Sequence, residues 1–137
     1  MLHRSMVVTC VIAMAAAATP ASACARHEAL DVRSALSADL VVTGRIVNVR
    51  TDARRNDVFD IAVGEVLRGR AGRLVTVTYS GRMLGPPSAL PRGVVLAALQ
   101  RNGSEYAIQW HICSDPFLFD ARSANAVATR RLLAGRR

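Results

Sequence analysis

Lysine is absent from this chain: every one of the 18 basic side chains is arginine. The formal charge is +8, so a partner with negative charge is electrostatically favoured. The arginines are scattered along the chain, which fits the composition bias of an arginine-rich proteome better than a built anion-binding surface. Aromatic residues are also few, at 4% of the chain. Once a core has taken its share, few rings remain to stack on bases, and nucleic acid is not an expected ligand. No G-x-S-x-G nucleophile elbow and no phosphate-cradling glycine loop occurs.

Long apolar runs are missing as well. The longest, from Met6 to Ala18, is broken only by Thr9. It falls short of the roughly 20 residues that a spanning helix needs. It follows the polar, basic pair His3-Arg4, and Pro20 ends it. Ala21-Ser22-Ala23 then supplies small residues of the A-x-A type. This is the pattern of a cleaved export signal over residues 1–23. A secreted or periplasmic protein starting at Cys24 is expected, with no transmembrane segment after cleavage. The alternative is lipidation of Cys24, although the branched apolar residue usual three positions before such a cysteine is missing. Cleavage would remove Arg4 and no acid, lowering the charge by one.

Cysteine is sparse, with three in all. Cys10 leaves with the signal. Cys24 and Cys113 remain, an even pair in an oxidising compartment. A bridge between them would close nearly the whole domain, worth on the order of 4 kcal/mol by chain entropy.

From Cys24 onward the pattern is that of a small β domain. A short helix or irregular turn is expected over Glu28–Ala38. The first strand is expected over Leu40–Arg50, where β-branched residues dominate. Gly44 in its middle marks a bulge or bend. The polar stretch Thr51–Asp57 reads as a hairpin loop. The second strand, Val58–Leu67, puts Phe59, Ile61, Val63 and Leu67 on one face, which Glu65 interrupts, with Gly64 a second bend. The third strand is Leu74–Tyr79, with Thr76 and Thr78 on its polar side. Ser80–Arg92 is irregular because Gly81, Gly85, Pro86, Pro87 and Pro91 interrupt it; Met83 and Leu84 are expected to tuck under it. The fourth strand, Val94–Gln100, is nearly all apolar and should be buried on both sides. Asn102-Gly103 signals a hairpin to a fifth strand, Tyr106–Cys113, with Trp110 on its apolar face. Ser123–Leu133 has helical spacing, with Ser123 as N-cap and Gly135 as stop. Five strands with glycine bends, short hairpins and a C-terminal helix argue a β-dominated, five-stranded, OB-fold-like Greek-key barrel. The expected division is a barrel over 24–119 and a helical tail over 120–137.

Catalytic and metal chemistry find weak purchase. Cys24, His27, His111 and Cys113 are zinc-ligand types, but their spacings are not those of structural zinc sites. In an exported protein a disulfide is the expected fate of the two thiols. Asp52, Asp57 and Asp60 cluster around one loop and are expected to form turns and to pair with Arg54 and Arg55. A non-enzymatic protein without cofactor is therefore expected, with no metal site assigned. One alternative is an envelope module that binds an anionic glycan or polymer through its arginines. Another is a small secreted hydrolase or zinc enzyme, which would need free thiols at Cys24 and Cys113.

The segment from Ala38 through Leu40, Val41, Val42, Thr43 and Gly44 to Ile46, following an N-terminal cysteine, resembles the start of netrin-like domains and tissue inhibitors of metalloproteinases. The segment from Phe59 to Gly69 looks like their second strand and turn, and Ile112-Cys113-Ser114 like the cysteine-serine that ends their barrel. The resemblance covers about Cys24 to Phe117. It implies an OB-fold, a Cys24–Cys113 disulfide, and a zinc metalloprotease as protein partner. It also implies metalloendopeptidase inhibition through Cys24 and Ala25. In the inhibitors the α-amino group and carbonyl oxygen of the first cysteine chelate the protease zinc and displace its water. The inhibitors carry a Cys-x-Cys start and three disulfides; here Arg26 stands at the third position and one bridge is possible.

Overall fold

Residues rich in β-branched and alternating apolar side chains form strands close to where the pattern puts them. In a computed structural model the described residues are 28–79, 90–109 and 114–135. They form a short 3-10 helix (Val32–Ser37), β1 (Leu40–Thr51), β2 (Asp57–Arg68), β3 (Leu74–Tyr79), β4 (Val94–Asn102), β5 (Glu105–Ile108), β6 (Leu118–Asp120) and the helix α1 (Ala124–Ala134). Around the barrel β1 neighbours β2, β2 neighbours β3, β3 neighbours β5, and β5 neighbours β4, which closes back on β1. The β3–β5 pair is parallel and the others are antiparallel. The chain thus forms the closed five-stranded, OB-fold-like barrel with a C-terminal helix that the sequence leads one to expect.

Closure needs sharp bends in β1 and β2, and both strands carry irregularities. Thr43 pairs with Glu65 but Gly44 with Val63, so Gly64 is the extra residue of a bulge. At Gly44 the strands come so close that a Cβ would lie 2.3 Å from the Ala62 carbonyl oxygen. No residue but glycine fits without moving backbone. A second irregularity lies between Val47 and Arg50, where Asn48 adopts a φ of 53°. Asparagine tolerates that left-handed region better than most residues. The turn after β2 is held by Gly69, whose φ is 81° and whose Cβ would meet the Asp39 carbonyl oxygen at 2.4 Å.

Alternation along β1 and β4 splits the apolar residues between two layers. Leu40, Val42, Val95, Ala97 and Leu99 point into the barrel and join Phe59, Ile61, Val75, Val77 and Ile108. Val41, Leu96 and Ala98 point outward. There Ala35 and Ala38 from the 3-10 helix segment, Phe117, and Ala126 and Leu133 from α1 cover them. β4 is therefore apolar on both faces because both are buried, as its unbroken run suggests. Each fully buried Phe or Leu contributes about 1.5–3 kcal/mol of hydrophobic stabilisation. Ser123 caps α1 by accepting from the Ala126 N–H at 3.2 Å. Arg130 ties α1 to β2 through Glu65 at 2.7 Å, a pair exposed enough to add little.

The fifth strand was expected over Tyr106–Cys113, of which residues 110–113 lie outside the described residues. Its ladder runs from Glu105 to Ile108, after a two-residue turn in which Gly103 has a φ of 63°. The Gln109 N–H still reaches the Ala98 carbonyl at 2.9 Å. Ala98 then donates to the Phe117 carbonyl at 3.0 Å, and the Phe117 N–H donates to the Gln109 carbonyl at 2.9 Å. Phe117 thus sits next to Gln109, and β6 carries on along the β4 edge that β5 began. Among the described residues no helix is long and apolar enough to cross a membrane.

Candidate functional site

The residues singled out in the sequence as chemistry-bearing, Cys24, Ala25, His27, Trp110, His111 and Cys113, lie outside the described residues, as do Met83 and Leu84. Their immediate chain neighbours are described. Glu28 and Ser114 form an isolated parallel β-bridge, which joins the segment after Cys24 to the segment after Cys113. Ser114 is buried, at 6% exposure. Gln109 and Phe117, which flank Cys113 in the chain, are joined by the Phe117 N–H to Gln109 carbonyl hydrogen bond.

The N-terminal segment is stitched to the barrel by amide side chains. Gln109 Nε2 donates to the Ser34 carbonyl at 2.7 Å and to Ser37 Oγ at 3.1 Å. A carbonyl only accepts, so this contact fixes the amide with its nitrogen toward Ser34. Gln100 Nε2 donates to the Ser37 carbonyl at 3.2 Å. The Asp39 carboxylate accepts from the Arg101 N–H at 2.7 Å, and Arg68 Nε donates to the Ala38 carbonyl at 2.8 Å. These contacts anchor both ends of the 3-10 helix.

A cavity of about 340 Å³ opens beside this seam, lined by Glu28, Leu30, Asp31, Ser34, Gln109 and Ser114 among others. Gln109 Oε1 is buried there without a hydrogen-bond partner. A buried acceptor left unsatisfied is costly, and a donor supplied to it is correspondingly favourable. On the far side of Leu30 a second cavity of about 290 Å³ is lined by Tyr79, Asp115, Pro116, Leu118, Phe119 and Asn125. Burial, and then the charges of Asp57 and Asp115, push the Tyr79 phenol upward, so at neutral pH it keeps its proton and remains a donor. The described part of this end can therefore hold apolar and hydrogen-bonding groups on both sides of Leu30.

The three aspartates around the first hairpin separate in the structure. Asp52 forms the turn, as expected: its Oδ1 accepts the N–H groups of Arg54 and Asn56, both at 2.8 Å. Asp60 does not belong to that loop. It sits mid-strand on the outer face of β2, opposite Thr76 of β3, and is 7% exposed. Its carboxylate accepts from Thr76 Oγ1 at 2.8 Å, Asn48 Nδ2 at 3.1 Å and Arg50 Nη1 at 3.3 Å. The Asn48 and Thr76 hydrogen bonds, with Arg50 adding to them, hold it below the ordinary value of 3.8 against the opposing effect of burial. Its cationic partner is Arg50 and not Arg54 or Arg55. A carboxylate so saturated is a structural anion and a poor proton carrier at neutral pH.

No protein-family model matches this chain, and a search of curated proteins finds no match.

Proposed function

We propose that the protein is an exported, non-enzymatic OB-fold binding module of netrin-like, metalloproteinase-inhibitor type. Its working end is the seam where Glu28 meets Ser114, and its partner is a zinc metalloprotease engaged through Cys24 and Ala25. The observation that carries this reading is the Glu28–Ser114 bridge. Cys113 directly precedes Ser114, and Cys24 lies four residues before Glu28. Four residues span at most roughly 14 Å. The bridge therefore leaves a short path from the N-terminal cysteine to Cys113, within reach of a disulfide.

In this reading the disulfide clamps the mature N-terminus against the barrel, so that its amine is presented in one place. An α-amino group with a pKa of about 8 is partly neutral near pH 7 and then has a lone pair for zinc. Together with the Cys24 carbonyl oxygen it takes the position of the zinc-bound water. Arg26 brings a positive charge near the metal and selects for a protease with acidic residues beside its zinc. The test is inhibition of a panel of zinc metalloproteases by the mature protein beginning at Cys24, beside a form with one added N-terminal alanine. Inhibition that the added alanine abolishes supports chelation. Absence of inhibition across the panel, or equal inhibition by both forms, refutes it.

A further inference from the structure

We infer that a cleft between β1, β4 and β6 is a binding site for a tetrahedral oxyanion, a phosphate or sulfate group free or in monoester linkage. The cleft has a volume of about 170 Å³ and is lined by Arg45, Arg92, Gly93, Val94, Asp120 and Arg122. The three arginines come from three places in the chain and converge because of the sheet. Arg45 on β1 stands beside Val94, the first residue of β4. Val95 pairs with Asp120 on β6, and the Ala121 N–H donates to the Val94 carbonyl at 2.9 Å. Arg92 enters just before β4, and Arg122 follows β6 in the turn to α1. The backbone that carries them is a hydrogen-bonded ladder, so they are held together by the barrel.

Four of the ten described arginines outside the cleft are engaged through their side chains. Arg50 pairs with Asp60, Arg68 with the Ala38 carbonyl, Arg101 with Tyr106 and Arg130 with Glu65. Among the described residues, the side chains of Arg45, Arg92 and Arg122 make no hydrogen bond or ion pair. Asp120 is the one carboxylate among the described residues lining the cleft. Its Oδ1 accepts the Arg122 backbone N–H at 2.7 Å, and its single negative charge stands against three guanidinium groups. Guanidinium groups bind planar and tetrahedral oxyanions through paired N–H donors. Donors arriving from three chain segments around one cleft suit a group with acceptors in several directions, which favours a tetrahedral anion over a planar carboxylate. The small volume admits one such group and part of whatever bears it. The site is separate from the Glu28–Ser114 seam and does not depend on the function proposed above.

The test is a titration of the mature protein with inorganic phosphate and, separately, inorganic sulfate at constant ionic strength, read by amide chemical shifts and calorimetry. Phosphate and sulfate monoesters of one sugar then tell which source of the group is preferred. The expected result is saturable binding, with shifts centred on Arg45, Gly93, Val94 and Arg122. R45Q, R92Q and R122Q should each weaken binding by about tenfold or more, the scale of one charge-assisted hydrogen bond. R73Q and R131Q, exposed arginines outside the cleft, should leave it unchanged. All five variants alter surface side chains, and their melting temperatures check that the fold is kept. Binding that fails to saturate, or that R73Q and R131Q weaken as much as R92Q does, would overturn the assignment. So would chloride at the same ionic strength giving the same shifts.

Discussion

Replacing Asp60 with alanine tests how the outer face of β1, β2 and β3 is held. The carboxylate is 7% exposed and takes three side-chain donors. Truncation leaves the Thr76 hydroxyl, half-buried on the neighbouring strand, without its acceptor. One such orphaned donor costs about 1–3 kcal/mol. Arg50 is 49% exposed and Asn48 is exposed, so both can turn to water and lose little of their own. Asn48 does lose the tether that steadies its left-handed backbone. The sum is about 2–3 kcal/mol, a fall in melting temperature of roughly 10 °C for a domain of this size. Urea unfolding of the mature protein at neutral pH, followed by circular dichroism, measures it. The pH dependence has a definite sign. The folded-state value of Asp60 lies below its ordinary 3.8. The stabilisation is therefore present above about pH 4 and is lost as pH falls through the folded value. The wild type should lose stability more steeply than Asp60→Ala in that acid range. A variant within about 0.5 kcal/mol of wild type, or one with the same acid slope, refutes the reasoning.

Other perturbations address the bend and the seam. Gly44→Ala places a methyl group against the Ala62 carbonyl and 2.7 Å from Ile61 Cγ2; it should cost about 3 kcal/mol in urea unfolding. Gln109→Glu sets a carboxylate oxygen against the Ser34 carbonyl, beside Glu28 and Asp31, and should destabilise by about 2–3 kcal/mol. Gln109→Leu loses the two donated bonds but also removes the unpartnered Oε1, and should cost only about 1 kcal/mol. Thermal melts of the pair rank them, and the opposite order contradicts the seam described here. Reduction of a Cys24–Cys113 disulfide should lower stability by on the order of 4 kcal/mol, measured as urea midpoints with and without reductant.

Much of the barrel was legible because its signals are local. β-Branched runs mark β1 and β3, period two marks β2, and the unbroken apolar run of β4 follows from burial on both faces. Gly44 and Gly64 are readable as bends because a missing side chain inside a strand has few other uses. The fifth strand was less legible. Tyr106, Ile108, Trp110 and Ile112 keep an alternating pattern, yet among the described residues the ladder ends at Ile108. Periodicity does not record that Phe117 will take the next place beside Ala98. β6, Leu118–Asp120, is too short to carry a period at all.

The sites depend on contacts remote in sequence, which accounts for what was missed. Asp60 looks like a loop residue beside Asp52 and Asp57. Its place between Phe59 and Ile61 was a usable signal that it faces outward on β2. The irregularity in β1 that brings Asn48 and Arg50 onto it has no such signal. Likewise Arg45, Arg92 and Arg122 are scattered in sequence and gather only when β1, β4 and β6 align. The Glu28–Ser114 seam was legible only as the expectation that Cys24 and Cys113 come together.

That expectation is the centre of the account, and one measurement addresses it directly: the intact mass of the exported protein under non-reducing conditions, with a thiol-alkylating reagent present. The account requires the mass of a chain beginning at Cys24, lighter by two hydrogens and unchanged by the reagent. A mass carrying two alkyl groups, a lipid adduct, or a start at another residue contradicts it.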